Sequence, residues 1–178
     1  LDILGIELDK NIWNGNNSLQ QRKLVSTDTK LTENQQQILI GNLLGDCSLS
    51  KVKFNKNAYF EITQSKDHKE YLVWLNHQYS PFSGEIKELI TKLEAVNKET
   101  GEKISKEHVS YTFRTAKFSE FTEYRKHFYP NDIKIVPKNI GNLLTELGLA
   151  IWYMDDGTNS QDSRDSTFCT NGFTTEDV

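Results

Sequence analysis

Two apolar segments interrupt an otherwise polar chain, and each of them runs into aspartate. The first, LIGNLLGDC, occupies residues 39–47, and the second, LAIWYMDDG, occupies residues 149–157. Each segment predicts a buried helix of about ten residues whose last turn carries the aspartate. Thr32 and Gln35 have the spacing of a capping box, which predicts the start of the first helix. Gly41 and Gly45 share one face of that helix and would let a second helix approach closely.

The residues between and after the two segments alternate strand and helix signals. Runs with a period of two predict strands, and runs with a helical period bounded by proline predict helices. The order of helix, strand pair, helix, strand pair, helix indicates an α+β fold of the form αββαββα. In chain order, the predictions are strands over 52–54 and 58–64, a helix from Asp67 to Pro81, strands over 86–96 and 109–115, a helix over 118–128 and a strand over 166–171.

Length and composition exclude several classes of protein. With 178 residues and 36% hydrophobic content, the chain is long enough for one or two cores of ordinary size. Its apolar runs all fall short of the roughly 18 residues that a membrane helix needs, and its first residues do not resemble a secretion signal. Cys47 and Cys169 have no metal or redox spacing, and we expect free thiols in a reducing compartment.

The overall charge argues against a nucleic-acid partner, but its distribution does not. The net charge is −4 and the isoelectric point is near 5.6, whereas proteins that grip duplex DNA gain affinity from basic surface. Acidic residues concentrate elsewhere, for example between Glu94 and Glu107. Basic residues cluster after the first apolar segment and after the middle strands, at Lys51, Lys53, Lys56, Lys66, Arg114, Lys117, Arg125 and Lys126.

The aspartates at the ends of the apolar segments are the candidate chemical groups. A carboxylate at the C-terminus of a buried helix is disfavoured by desolvation and by the helix dipole unless a cation meets it there. If the two helices pack side by side, Asp46 and Asp156 come together and form a site for a divalent cation such as Mg²⁺, which prefers oxygen ligands. The alternative is that both residues are helix ends turned toward solvent.

The two segments, in this order, resemble the paired motifs of the LAGLIDADG homing endonucleases, specifically the single-chain, two-motif type encoded in introns. The resemblance extends from about Leu31 to the C-terminus and includes YFEITQS at 59–65, residues 68–71 and the turn at 134–137. It implies saddle-shaped antiparallel sheets over a two-helix interface. It also implies Mg²⁺-dependent hydrolysis of phosphodiester bonds at a long, specific site in duplex DNA.

The resemblance assigns roles to individual residues. It makes Asp46 and Asp156 metal ligands and catalytic residues, with Asp155 beside them. Lys134 would stabilise charge on the phosphate, or else is a solvated loop residue, and Gln64 would orient a water or touch a base, or else faces solvent. Alternating positions on the saddle strands would contact the nucleic acid or are ordinary exposed strand positions: Lys51, Lys53, Tyr59, Glu61, Thr63, Ser110, Thr112 and Arg114.

The resemblance also divides the chain. Residues 1–30 form a polar N-terminal extension, residues 31–145 form the first repeat, and residues 146–178 begin a second repeat that is incomplete. Either the remainder of that repeat belongs to the same polypeptide, or a second chain supplies it as a partner. A split protein of this kind would expose apolar surface on its second unit.

A second function remains open on the same scaffold. The chain could bind structured RNA as an intron maturase or as a structural, ribosome-associated component of a ribonucleoprotein, which the acidic balance and the N-terminal extension favour. The Asn- and Lys-rich composition suits an AT-rich genome, and we therefore expect an organellar source, mitochondrion or chloroplast, rather than a bacterium or phage.

Overall fold

The computed structural model of the chain describes residues 29–51, 57–96, 103–159, 165–170 and 173–174. The predicted N-terminal extension, Lys53 and the predicted strand over 52–54 lie outside the described residues, apart from residues 29–30 of the extension. The elements in chain order are α1 (Glu33–Leu44), β1 (Ser48–Leu49), β2 (Phe60–Ser65), α2 (Lys69–Gln78), β3 (Lys87–Val96), β4 (Lys103–Arg114), α3 (Ser119–Phe128), α4 (Ile140–Leu143), α5 (Glu146–Asp156), β5 (Gly157–Asn159) and β6 (Ser166–Phe168).

The first four strands form one antiparallel sheet with the order β1-β2-β4-β3. In β1 and β2, Ser48 pairs with Glu61 and Leu49 pairs with Phe60. The long strands β3 and β4 pair over their whole length, from Lys87 opposite Thr112 to Val96 opposite Lys103. Strands β5 and β6 form a separate two-stranded sheet. The α+β prediction with an antiparallel sheet is confirmed, and the first strand after α1 is β1, directly behind Asp46.

The chain divides into two compact units, and β2 continues from one into the other. The described part of the first unit is residues 62–96 and 103–114. Its core lies between the sheet and α2, whose apolar face contributes Tyr71, Leu72 and Leu75. Phe113 of β4 packs there, with its ring centroid 6.4 Å from that of Tyr79. The helix predicted from Asp67 begins as a short 3-10 turn over Lys66–His68 and becomes α-helical at Lys69.

The second unit contains the remaining described residues and is built around α1. The predicted capping box is present: Gln35 donates its backbone N–H to Thr32 Oγ1 (3.2 Å), and Thr32 donates its backbone N–H to Gln35 Oε1 (3.0 Å). Leu39 and Leu43 are fully buried in the core of this unit. Helix α3 closes that core by packing Phe121 edge-on against Phe60 of β2, at 5.0 Å between centroids.

Helices α1 and α5 touch through their backbones, as the paired glycines predicted. A Cβ built on Gly41 would lie 2.7 Å from Cβ of Ile151 and would collide with the carbonyl oxygen of Gly148. A Cβ built on Gly45 would lie 2.6 Å from Cβ of Asp155. The two helices therefore approach as closely as they do because side chains are missing at these positions. Within the described ranges, every helix is too short or too polar to cross a membrane.

Candidate active site

The first motif aspartate lies just beyond the end of α1. The helix stops at Leu44, and Gly45 caps it by donating its N–H to the carbonyl oxygen of Gly41 (3.0 Å). Cys47 then donates its N–H to the carbonyl oxygen of Asn42 (2.9 Å), which closes a tight turn around Asp46. This turn leaves Asp46 exposed while both of its neighbours are buried. The carboxylate therefore follows the cap, one position later than the last helical turn where the sequence placed it.

The second motif aspartate is the last residue of α5. Asp156 is partly buried, and Gly157 follows it as the cap and donates its N–H to the carbonyl oxygen of Tyr153. Burial raises the pKa of Asp156, and the Asp46 carboxylate raises it further, while Lys134 and the Trp152 indole oppose the rise. The Asp46 carboxylate therefore lies close enough to Asp156 to disfavour its charge, as expected for two groups of one candidate site.

Lys134 joins this site from the loop before α4. Its ammonium group donates hydrogen bonds to the carbonyl oxygens of Gly45 (2.8 Å) and Cys47 (3.1 Å), the residues on either side of Asp46. A cation at the C-terminal end of α1 is favoured by the helix dipole. Burial lowers the pKa of Lys134, and the surrounding acidic groups, including Asp156 and Asp46, oppose that fall. The lysine is thus a fixed part of the first motif's turn.

Asp155 serves the helix pair. Its Oδ2 accepts a hydrogen bond from Nδ2 of Asn42 (2.9 Å), a residue of α1 that is 1% exposed. Its Cβ lies against the position that a side chain at Gly45 would occupy. The two consecutive acids of the second motif therefore have different surroundings. Asp155 bridges the helices, whereas Asp156 lies in the field of Asp46 and Lys134.

The donor set fits a hard cation that keeps part of its hydration. Asp46 and Asp156 supply carboxylate oxygens, and Mg²⁺ is usually held by one or two carboxylates together with water and substrate phosphate. In the part of the chain that the structure describes, no group of three or more His, Cys, Asp or Glu has the arrangement of a metal site, so a protein cage of the zinc type is not formed there. Burial raises the pKa of the Cys47 thiol, which disfavours the thiolate that softer metals bind.

Gln64, the other predicted catalytic residue, belongs to the first compact unit. It is the penultimate residue of β2 and is 8% exposed. The alternation predicted for this strand is present, because Phe60, Ile62 and Gln64 are buried while Glu61 and Thr63 are exposed. Glu61 and Thr63 therefore lie on the exposed side of this strand, where the Thr63 hydroxyl donates to Thr112 Oγ1, and the role of Gln64 stays a prediction.

The three residues of β4 that were predicted to contact nucleic acid differ in burial. Ser110 and Thr112 are buried, at 8% and 6% exposed. Thr112 Oγ1 lies 2.9 Å from Thr63 Oγ1 and donates to the carbonyl oxygen of Ile62 (2.9 Å), so it bridges the two strands. Arg114, two residues further along the same face, is exposed. Of these three residues, only Arg114 is exposed on the sheet surface.

The strand register reveals basic residues that the sequence reading missed. Residues opposite each other in an antiparallel pair lie on the same face, so Lys87 shares the face of Thr112 and Arg114, and Lys106 shares it through the alternation along β4. Among the described positions of β3 and β4, this face carries no acidic residue. The opposite face carries the acids and the remaining lysines, Glu88, Lys92, Glu94, Lys103 and Glu107. The positions of the charged residues along each strand carried this information, but assigning them to a face required the register between β3 and β4.

Near β1 and β2, two of the residues that were predicted to contact nucleic acid contact other side chains of the protein. Lys51 is exposed and forms an ion pair with Asp132 at 2.5 Å. Tyr59 is half-buried, with the Lys117 ammonium 6.0 Å from its ring centroid. Lys53 lies outside the described residues. Arg125, which the sequence grouped with the surface basic residues, is instead buried at 8% exposed.

Comparison with known proteins identifies the family. The family model described as the LAGLIDADG DNA endonuclease family matches residues 36–178. The cytochrome b mRNA maturase bI2 of Debaryomyces hansenii is 31% identical over 160 residues, which cover 90% of this chain and 58% of that protein. The probable intron-encoded endonuclease 1 of Wickerhamomyces canadensis is 30% identical over 131 residues, which cover 72% of this chain and 52% of that protein.

A solved structure agrees with this assignment. The homing endonuclease I-WcaI, bound to its DNA recognition sequence, matches with a TM-score of 0.66 and 25% identity, covering 99% of this chain and 73% of that one. The chain spans little more than half the length of the two curated relatives. The fold and the family resemblance read from the sequence are both confirmed. The chain belongs to the LAGLIDADG DNA endonuclease family.

Proposed function

We propose that this chain is the site-bearing part of a homing endonuclease that hydrolyses phosphodiester bonds at a specific site in duplex DNA with Mg²⁺. The observation that carries the proposal is the convergence of Lys134 on the turn of Asp46, with Asp156 in the same electrostatic field. Two carboxylates at the ends of paired helices, with a partly buried lysine from a neighbouring loop, support a catalytic site, and family membership supplies the class of reaction.

The roles follow from the charges and the surroundings. Asp46 and Asp156 would hold Mg²⁺, which when bound supplies an activated water and neutralises charge on the leaving oxygen. Lys134 is held beside them by main-chain carbonyl groups, so its charge is directed before substrate arrives and needs little reorganisation. A phosphate group approaching Asp46 would meet that charge. The role of Lys134 is therefore electrostatic stabilisation of the phosphate.

DNA contact is proposed for the acid-free face of β3 and β4 together with the exposed residues of β2. A two-stranded ribbon fits the major groove, where arginine and lysine read guanine and longer polar side chains read other bases. Lys87, Lys106 and Arg114 give this face its positive charge. The net charge of −4 is compatible with DNA binding because the ribbon carries its acids on the other face.

The deciding experiment is cleavage of a plasmid that carries the intron-insertion sequence, with Mg²⁺ and with EDTA. We expect double-strand cleavage that requires Mg²⁺ and that disappears in Asp46→Asn and in Asp156→Asn. Glu123→Gln, an exposed carboxylate on α3, is the matched control and should cleave normally. A folded protein that binds the site in Mg²⁺ but leaves both strands intact would rule out the nuclease assignment.

A second candidate function is binding of intron RNA. The Debaryomyces hansenii relative, whose match covers 90% of this chain, is named an mRNA maturase. The test compares affinity for a structured intron RNA with affinity for duplex DNA of matched length. A preference for RNA of tenfold or more would favour the maturase function, and the same preference for DNA would exclude it as the main activity. We also propose an organellar, most simply mitochondrial, location.

We further propose the division into a first repeat over 31–145 and the beginning of a second over 146–178, preceded by the extension over 1–30. Leu149 and Met154 on α5 are 43% and 36% exposed, which is apolar surface that a completed second repeat or a second chain would cover. Size-exclusion chromatography with light scattering tests this. A monodisperse, folded monomer of 20.5 kDa with normal activity would contradict the need for a second chain.

A further inference from the structure

We propose that Arg125 is a positioning residue for Lys134, and through it for the turn of Asp46. The inference rests on the proposed function of this site. Arg125 lies on α3 and touches neither aspartate in any described contact. Its guanidinium group instead binds the two chain segments that the Lys134 contact joins, so the buried Arg125 sets the position of the partly buried Lys134.

The contacts of Arg125 form a bridge. Its Nη1 donates to the carbonyl oxygen of Leu49 at 2.7 Å, and its Nη2 donates to Oδ1 of Asp132 at 2.6 Å. The Tyr129 ring lies beneath the guanidinium, 4.7 Å from its carbon to the ring centroid, and the Tyr129 hydroxyl accepts from the N–H of Leu49 at 3.4 Å. Charge-assisted hydrogen bonds of this length are among the stronger ones in proteins. The bridge is therefore a rigid connection.

The two anchored segments are the ones that carry the site. Leu49 is two residues after Cys47, whose carbonyl accepts from Lys134, and Asp132 is two residues before Lys134. Arg125 thus fixes both partners of the Lys134 contact close to the point where they meet. A displacement of either segment would change the hydrogen bonds that Lys134 makes around Asp46.

The 130–134 loop contains two residues in the left-handed region. Asn131 and Asp132 have positive φ, at 59° and 64°, which Asn and Asp adopt more readily than other non-glycine residues. Such a conformation persists where surrounding contacts determine it. Asp132 receives those contacts, because it binds Arg125 on one side and Lys51 on the other. These contacts therefore hold the turn in the shape that presents Lys134.

Helix α3 carries two ion pairs that differ in burial, and only the buried one can position a neighbouring segment. Lys126 and Glu123 pair at 2.7 Å with side chains 65% and 62% exposed, an arrangement of little energetic weight. The Arg125 side chain is 10% exposed and satisfies a main-chain carbonyl as well as Asp132. Removing the guanidinium would take a donor from the carbonyl of the buried Leu49, while Asp132, whose side chain is 48% exposed, would keep its pair with Lys51.

The test is a double-mutant cycle on the single-turnover cleavage rate. Arg125→Met should lower the rate by about 10–100-fold, the loss typical of a small misplacement of a catalytic group, and leave affinity for the DNA site unchanged. In a Lys134→Met background, the same Arg125→Met change should lower the rate less than threefold, because the group it positions is already absent. Losses that multiply in the double mutant would show that Arg125 acts independently of Lys134 and would overturn the inference.

A second readout separates failure of this inference from failure of the proposed function. In protein labelled with ¹⁵N at lysine Nζ, the Lys134 ammonium should give a slowly exchanging signal, assigned by its loss in Lys134→Met. That signal should shift or vanish in Arg125→Lys and in Asp132→Asn, and it should be unchanged in Lys126→Met. An unchanged signal in the first two variants would overturn the inference even if the wild-type protein cleaves DNA. A changed signal without cleavage would uphold it while the nuclease proposal fails.

Discussion

The ends of α1 and α5 carry corresponding aspartates, but different forces hold them. Asp46 is exposed, follows a glycine cap and lies in a turn to which Lys134 is hydrogen-bonded from both sides. Asp156 is still helical and partly buried, and its neighbour Asp155 is bound to Asn42 inside the helix pair. One carboxylate is thus positioned by a cation, and the other by packing. Two copies of a motif can therefore form one site whose halves respond differently to the same mutation.

The largest effect should come from removing either carboxylate. Asp46→Asn and Asp156→Asn should each lower cleavage by about 10³-fold or more, because both are proposed to hold the same cation-dependent centre. Initial rates on plasmid substrate at saturating Mg²⁺ measure this. If one variant kept more than a tenth of the wild-type rate, the aspartates would not share a single site.

Lys134→Met should have the next largest effect and should distinguish the two ends. We expect cleavage to fall by about 10²-fold, the usual cost of losing one preorganised charge or donor. The turn of Asp46 should also become less protected in hydrogen exchange, since two carbonyl groups lose their donor, whereas the amides of α5 should be unaffected. Lys126→Met, a lysine removed from an exposed pair, is the control. Equal loss of protection in α5 would contradict the division of roles.

Gly41→Ala should test the packing that positions Asp156. An added methyl group would collide with Gly148 and Ile151, so we expect the free energy of unfolding to fall by about 1–3 kcal/mol. Gly141→Ala is the matched control, because a Cβ there meets nothing within 4 Å. This substitution should raise the free energy of unfolding by about 0.4–1 kcal/mol. Urea denaturation measures both. A Gly41→Ala protein as stable as the wild type would show that the helices are free to separate.

The smallest expected effect is a gain in stability. Asp156 has a raised pKa, so the folded protein holds more protons than the unfolded one between the ordinary carboxyl pKa and the raised value. The unfolding free energy of the metal-free protein should therefore fall as pH rises through that window. In Asp156→Asn this fall should disappear, with a small gain in the free energy of unfolding at neutral pH.

The same measurement compares the two motifs. Asp46→Asn should give a smaller gain, because it removes only the repulsion and leaves the burial of Asp156 in place. Urea midpoints from pH 4 to pH 8 would show the difference. A larger gain in Asp46→Asn would mean that repulsion, and not burial, dominates at Asp156.

The parts of this protein that local sequence determines were predictable. The capping box at Thr32, the close approach at Gly41 and the strand alternation around Ile62 all follow from spacing within a few residues. The family resemblance also pointed to Lys134. Its partners were not predictable, because they are main-chain carbonyls 87 and 89 residues away and carry no side-chain signature.

Features that depend on pairing between distant segments could not be read from the sequence. Thr112 looked like an exposed strand residue, yet it is buried because its hydroxyl bridges to β2. Lys87 was not considered, because only the β3–β4 register assigns it to the acid-free face. Arg125 looked like a surface base, and its burial depends on a carbonyl 76 residues earlier in the chain.

The contact at Gly41 and Gly148 has a consequence for how such a protein can diversify. Because main-chain atoms meet there, the distance between the two helix ends is insensitive to the rotamers of neighbouring residues. Under the proposed function, substitutions on β3 and β4 should change target preference while the two helix ends keep their spacing. Replacement of either glycine should instead change the spacing itself, since an added Cβ at Gly41 or Gly148 meets atoms of the other helix.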